Sequence, residues 1–339
     1  VIIYSYGVHK DNEITEKLMN NVNIFHDVSE MTDRQIVELA RSEKLDLAID
    51  LKGYAVDNRL KLFAYGLAPV QISHLGYPGT LGTKFIDYFI ADPVLIPEDK
   101  RDYYSEKIIY LPNSYQPNDN KRFISDKAIT REEAELPIDS FVFCCFNDNY
   151  KITPKEFDIW MRLLNKVEGS VLWLLRSNSS AEMNMKREAV ARGIDAERLV
   201  FAEKMPHAEH LARHRLADLF LDTFNVNAHT TASDALWAGL PIITKLGENF
   251  AARVAGSLLN AVGLPELITE NESDYEALIL DLSTNPKRLD EIKRKLADNL
   301  LSKPLFDTQK YTNHLETAYE QAFETYRKGR PPEVIIVPN

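Results

Sequence analysis

Four short segments gather the side chains able to hold an anion or move a proton, and each lies where an apolar run gives way to a polar one. In LDTFNVNAHTTASDALWAGLP a hydrophobic strand over 219–222 ends in a polar loop, and a helix starts at Thr230 or Thr231, with Thr231 and Asp234 in the spacing of a capping box. A helix start at the C-terminal edge of a strand offers free N–H groups and a positive dipole end, which suit a diphosphate. The hydroxyls of Thr230 and Thr231 and the imidazole of His229 could add donors; ordinary capping beside a loop histidine accounts for the same residues. FNDNYKITPKEF, 146–157, repeats the layout: a buried strand breaks at Asn147, a polar loop carries Lys151, and Pro154 suits a first helical turn. A cation there would neutralise charge building on a leaving phosphate, although lysine is also an ordinary surface residue. Asp148, in the same loop, is expected to face solvent or a sugar hydroxyl.

HAEHLARHRLAD, 207–218, puts His210 and Arg213 on one helical face with His214 beside them. An imidazole can stack on a planar base and a guanidinium can donate to its carbonyls; a solvated helix face is the alternative. In LDLAIDLKGY, 45–54, Asp46 and Asp50 point to the same face of an expected strand. Asp50, at the carboxyl end, could orient a sugar or accept a proton, or could cap the N–H groups of the next turn.

The elements that must hold these residues alternate along the chain. VIIYSYG, a helix-like stretch to Met19, NIFHDVS, a helix over Asp33–Ser42 and LDLAIDL have the βαβ rhythm of a parallel sheet. APVQISHLGYPGT runs from a strand into a tight loop near Gly76–Thr80, and DYFIADPVLIP is a further strand. Residues 112–139 are polar, hold three prolines and have no sustained period, as a connection between domains would. A second alternating series follows: FVFCCFN, a helix over Phe157–Val167, VLWLLR, a helix to Arg192, LVFAEK, a helix over Ala208–Leu216, LADLFLDT, a helix from Thr231, PIITKLG and a helix from Asn249. The tail from Tyr275 to Arg330 is helical, with breaks at Pro286 and Pro304. The pattern predicts an α/β protein whose two Rossmann-like halves face a cleft, with domains over 1–120 and 121–303 and a C-terminal helix and tail over 304–339. A chain that opens at Val1 inside a buried strand also reads as a piece of a longer polypeptide.

Of 339 residues, 45% are apolar and 27% charged, enough for a substantial core. The net charge of -11 provides no long-range attraction for nucleic acid or an anionic membrane, so any phosphate must be held locally. No apolar run reaches the roughly 18 residues that span a bilayer, and a cytoplasmic address is expected. Cys144 and Cys145 are adjacent on an expected strand, which fits core packing rather than a disulfide or metal site. The chain has no Asp-x-Asp pair, no His/Cys ligand cluster, no Walker loop and no G-x-S-x-G elbow, so leaving-group charge would fall to helix dipoles and Lys151, and no metal is expected.

LGYPGTLG (75–82), YSEKIIYLPNSYQPND (104–119), FCCFNDNYKI (143–152), GSVLWLLR (169–176), LADLFLDTFNVNAHTTASDALWAGLP (216–241) and SKPLFDTQKY (302–311) together closely resemble glycosyltransferase family 41, the protein O-GlcNAc transferases, in their bacterial form. The resemblance covers nearly the whole chain and implies a GT-B fold, UDP-GlcNAc as donor, no required metal or cofactor, and inverting transfer to Ser or Thr hydroxyls. It implies that Lys151 supports the donor diphosphate, that His229, Thr230 and Thr231 meet the donor sugar and phosphates, and that Asp234 binds the ribose. His210 and Arg213 then lie at the uracil base, and Gly76 and Pro78 in the loop against the sugar. Members of the family carry an upstream βα unit with a functional His and, before it, tetratricopeptide repeats that bind acceptor proteins. Where animal relatives have His and Asn on the strand before Lys52, this chain has Asp46 and Asp50, so Asp50, a donor phosphate oxygen or the upstream His stand as candidate bases. Other readings of the same features are protein O-fucosylation from GDP-fucose, a GT-B sugar-nucleotide epimerase, and a non-catalytic UDP-sugar-binding module.

Overall fold

Parallel strands alternate with helices through the computed structural model, which describes residues 1–7, 13–127 and 129–339. They sort into two units, one of residues 1–91, 99–110 and 316–337, the other of 92–98, 111–315 and 338–339. The first unit opens with β1 (Ile2–Ser5), α1 (Glu13–Asn21), β2 (Ile24–Asp27), α2 (Asp33–Ser42), β3 (Leu47–Asp50), β4 (Val70–Ser73), β5 (Tyr88–Ala91) and β6 (Lys107–Tyr110). The helix expected up to Met19 is described from Glu13 onward; residues 8–12 lie outside the described residues. Strands β3 to β6 pair in parallel in chain order, while β1 and β2 pair as a separate two-stranded parallel sheet with Tyr4 opposite His26. A capping box between Thr32 and Gln35 starts α2, whose Ile36 and Val37 pack with Val28, Ala48 and Phe63 in the core of this unit.

The second unit holds β7 (Val142–Cys145), α3 (Pro154–Lys166), β8 (Val171–Leu175), α4 (Ser179–Ala191), β9 (Leu199–Ala202), α5 (His207–Arg213), β10 (Leu219–Leu221), α6 (Thr230–Trp237), β11 (Ile242–Lys245), α7 (Val254–Ala261), β12 (Ile268–Thr269), α8 (Glu272–Thr284) and α9 (Pro286–Asn299). Its sheet runs β12-β11-β10-β7-β8-β9, every pairing parallel. Strands covered on both faces need apolar side chains on both, which is why FVFCC, VLWLL and LFL read as unbroken apolar runs. Cys144 and Cys145 are free thiols buried in β7. The strand order reverses direction between β7 and β10, and at such a switch point the loops after the two strands diverge and leave a crevice at their carboxyl ends.

Helix α10 (Thr308–Arg327) and strand β13 (Ile335–Ile336) complete the chain; the residues of α10 from Glu316 onward belong to the first unit, and β13 pairs in parallel with β6. Strand β6 was not expected, and neither were the short strands β12 and β13, whose two residues are too few to show a period. The breaks at Pro286 and Pro304 are present, as the first residue of α9 and of a 3-10 turn. Helix α3 starts three residues before the expected Phe157. The Thr153 N–H donates to Glu156 Oε1 at 2.8 Å and its hydroxyl donates to Oε2, while Pro154 supplies the first helical position. Glu156 is fully buried beneath this turn. Replacing it, Glu156→Ala, leaves a part-buried N–H unpaired, and urea unfolding should show a loss of about 1–3 kcal/mol; an unchanged midpoint would mean that α3 starts without it.

Candidate functional site

The crevice at the switch point of the second sheet is built on two buried polar side chains, one after each central strand. Asn147, just past β7, donates through Nδ2 to Thr223 Oγ1 at 2.8 Å and accepts from the Thr231 hydroxyl at 2.6 Å. Asp222, just past β10, is fully buried. Its Oδ1 accepts from the N–H groups of Thr223 (2.8 Å) and Ala228 (2.6 Å), and its Oδ2 accepts from the Thr244 hydroxyl at 2.6 Å. Burial pushes the Asp222 carboxyl up to about 7, with those donors and the charge of Lys151 pulling against it. Lys151, in a 3-10 turn after β7, donates from Nζ to the Asn227 carbonyl at 3.3 Å. The first turn of α6 has no side-chain cap, and Thr230 on that turn is exposed. An ammonium group and an uncapped helix start therefore converge on loop 223–229, which suits an anion.

Several expected roles change. The Thr231–Asp234 capping box does not form: α6 begins at Thr230, so Asp234 lies too far along the helix to cap it. The Thr231 hydroxyl is engaged by Asn147 and is no free donor to a phosphate. His229 Nε2 lies 3.1 Å from the Ala251 carbonyl, so the proton sits on Nε2 and Nδ1 carries the lone pair. Burial holds this imidazole down to about 4, opposed by the Ala251 bond, and leaves it neutral. His229 thus offers an acceptor at Nδ1 rather than the donor expected.

Asp234 is bound by Arg122, from the polar segment 112–139, at 2.5 Å, and His207 Nε2 stands 3.5 Å from its other oxygen. The Arg122 guanidinium also donates to Ser233 Oγ at 3.1 Å and lies over the adjoining rings of Trp237 and Phe306, 5.5 and 5.6 Å from their centres. Sequence reading missed Arg122 because its segment has no period and its partner is 112 residues away.

His210 and Arg213 do share a face of α5, but it is the inward face. Phe146 and Trp173 hold the Arg213 guanidinium at 4.4 and 5.9 Å from their ring centres, and its Nη1 donates to the Glu203 carbonyl at 2.6 Å. Arg213 is only 2% exposed, with Nε and Nη2 buried and unpartnered, so this structure leaves it no open route to a base. His210 is half-buried against Phe146 (5.3 Å) and His214 (4.7 Å) and is pushed down to about 2, mainly by burial, so it is a neutral ring.

In the first unit, Asp50 ends β3 and Asp46 lies outside the strand, exposed. The oxygens of Asp50 accept from the N–H groups of Lys52 (3.1 Å) and Gly53 (2.9 Å), the turn-capping alternative rather than an acid–base placement. Burial raises its carboxyl and those two bonds lower it. The turn meets the 75–78 loop backbone to backbone: a Cβ on Gly76 would lie 2.1 Å from the Leu51 carbonyl oxygen, so only glycine fits. Leu75 adopts a φ of 78°, unusual for a branched side chain, and Pro78 is half-buried in the same loop.

Glycosyl transferase family 41 matches this sequence over residues 1–129 and 122–315. The chain belongs to that family. It is 35% identical, over 98% of its length, to a probable UDP-N-acetylglucosamine–peptide N-acetylglucosaminyltransferase of Arabidopsis thaliana, and spans 35% of that protein. A UDP-N-acetylglucosamine–peptide N-acetylglucosaminyltransferase of Caenorhabditis elegans is 27% identical over 98% of the chain, which spans 38% of it. Among solved structures, an O-GlcNAc transferase mutant of Thermobaculum terrenum superposes with a TM-score of 0.86 at 27% identity, covering 96% of this chain and 62% of that one. The chain thus spans little more than a third of the curated relatives it matches, and its architecture is GT-B.

Arg122→Ala strands a buried carboxylate and should destabilise the second unit by about 3–5 kcal/mol. In a double-mutant cycle much of that loss should disappear when Asp234→Asn accompanies it; strict additivity would show that the pair is not coupled. Gly76→Ala should lower the thermal midpoint, because the two loops must part to admit a methyl group, and an unchanged midpoint would deny that close approach.

Proposed function

We propose that this chain is the catalytic region of a cytoplasmic protein O-GlcNAc transferase, which moves GlcNAc from UDP-GlcNAc with inversion onto Ser or Thr hydroxyls of proteins. Family membership supports the reaction, and the switch-point crevice, with Lys151 facing an uncapped helix start across loop 223–229, supports the donor site. Among the described residues no helix is long and apolar enough to cross a membrane, and no three His, Cys, Asp or Glu side chains gather as metal ligands.

In this reading the acceptor hydroxyl attacks the anomeric carbon opposite UDP, the bond to the diphosphate breaks with negative charge building on that leaving group, and the hydroxyl proton passes to a donor phosphate oxygen or to the upstream His, the candidate bases left once Asp50 is tied to its turn. Lys151 Nζ, the first-turn amides of α6 and the Thr230 hydroxyl neutralise that charge from fixed positions, which is the largest contribution the protein can make. Asn227 holds Lys151 in place through its carbonyl, and Asn147 fixes the first turn of α6 through Thr231. Neutral His229 is suited to accept from a donor hydroxyl at Nδ1, and the exposed edge of His210 to contact the base. Asp234 reaches a ribose hydroxyl only by sharing its carboxylate with Arg122 and His207. Asp50, tied to its turn, serves the first unit as a structural carboxylate. Acceptor proteins are, in this reading, selected by the tetratricopeptide repeats that the family resemblance implies; the chain spans 35% of its Arabidopsis thaliana relative.

Lys151→Ala should lower GlcNAc transfer to a Ser/Thr peptide by about 10²–10³-fold with the fold intact by circular dichroism. Turnover at the wild-type rate would remove Lys151 from the mechanism.

A further inference from the structure

Asp222 is a carboxylate with no exposed surface and no ion pair within hydrogen-bond range, yet it stands at the root of the loop that carries the donor-site groups. Its four donors come from three places: its own loop at both ends, through the Thr223 and Ala228 amides; β11, through Thr244; and the end of β7, through Asn147 Nδ2 at 3.4 Å. Tyr275, on α8, donates to its main-chain carbonyl at 3.0 Å and in turn accepts from Trp160. The charged and titratable groups that face it are Lys151 from the turn after β7, Cys145 from β7, Tyr275 from α8, and Glu156 behind them at the start of α3, with His229 beyond Lys151. Lys151 is the one cation among them.

A crevice that holds a diphosphate with a lysine and a helix start also holds the product, and turnover requires that product to leave. Asp222 and Lys151 bond the two ends of one peptide, Oδ1 to the Ala228 amide and Nζ to the Asn227 carbonyl, so a negative charge behind the lysine opposes the anion without blocking it. We infer that Asp222 is a positioning residue of the donor site: its carboxylate ties down both ends of loop 223–228, and its charge, across the 227–228 peptide from Lys151, weakens the hold on a nucleoside diphosphate. The inference rests on the donor-site reading above. Asp222 can take up a proton without disturbing the loop, since Oδ1 keeps both amide donors while Oδ2 gains a proton that the Thr244 hydroxyl can turn to accept. Burial brings that event to about pH 7. Below this pH the opposing charge is absent; above it the charge is present and the anion is held less well. The amide of Asp222→Asn reproduces the shape and charge of the neutral acid, so it is a permanent low-pH form.

The test is calorimetric titration with UDP from pH 6 to pH 9 on the wild-type chain, Asp222→Asn and Thr244→Val. The phosphate of UDP itself titrates near pH 6, but it does so equally for every variant and cancels in ratios. Asp222→Asn should bind UDP about tenfold more tightly than wild type at pH 9 and equally at pH 6, the size of effect one buried charge exerts at close range. Thr244→Val withdraws a donor from the ionised form, so its affinity should match wild type at pH 6 and exceed it near pH 8; this carries the test if Asp222→Asn fails to fold. A ratio independent of pH in either folded variant would overturn the inference while leaving the donor site standing. No UDP binding by the wild type at any pH would overturn the donor-site reading, and the inference with it.

Discussion

A polar side chain at the end of a central parallel strand is below the solvent line, and it must find its partners inside the protein or cost several kcal/mol. Asn147 and Asp222 meet that constraint by bonding toward each other's loops, across the gap where the strand order of the second sheet reverses. Everything proposed for the crevice hangs from this junction. Asp222 dictates where loop 223–228 begins and ends, that loop presents the Asn227 carbonyl to Lys151, and Asn147 holds the first turn of α6 by Thr231.

The rigid parts stand behind the junction. Strands β7, β8 and β10 are apolar on both faces and close-packed, so the positions at which they end are not free to drift. Tyr275 reaches from α8 through the core to the Asp222 carbonyl, and a buried Glu156 sets the start of α3 just past the Lys151 turn. The groups proposed to touch substrate are thus short extensions of a fixed platform, as electrostatic preorganisation requires. The first unit uses the same economy: Asp50 shapes a turn, and Gly76 lets a second loop lie directly on that turn.

Local patterns carried much of this. Apolar runs located most strands of the two larger sheets, though not β6, β12 or β13, and the drop from apolar strand to polar loop singled out the segments holding Asn147, Lys151 and His229. What stayed hidden is long-range. Thr231 and Asp234 have capping-box spacing, yet their actual partners lie 84 and 112 residues away, and no window on the sequence contains both members of either pair. His210, Arg213 and His214 look like a solvated face by composition; Phe146 and Trp173, on two other elements, turn that face inward by stacking against it. At the start of α3 only Pro154 was read as suiting a first helical turn; the Thr153–Glu156 capping box beside it went unread, and the helix was expected from Phe157. Asp222 gave no such sign, being one acid at the end of one strand.

The central claim is that the crevice after β7 and β10 receives a uridine diphosphate. Amide hydrogen exchange, measured with saturating UDP and separately with GDP, tests it directly. UDP is expected to slow exchange in 222–232 and around Lys151, with GDP leaving both unchanged. Protection confined to other segments, or equal protection by GDP, would contradict it.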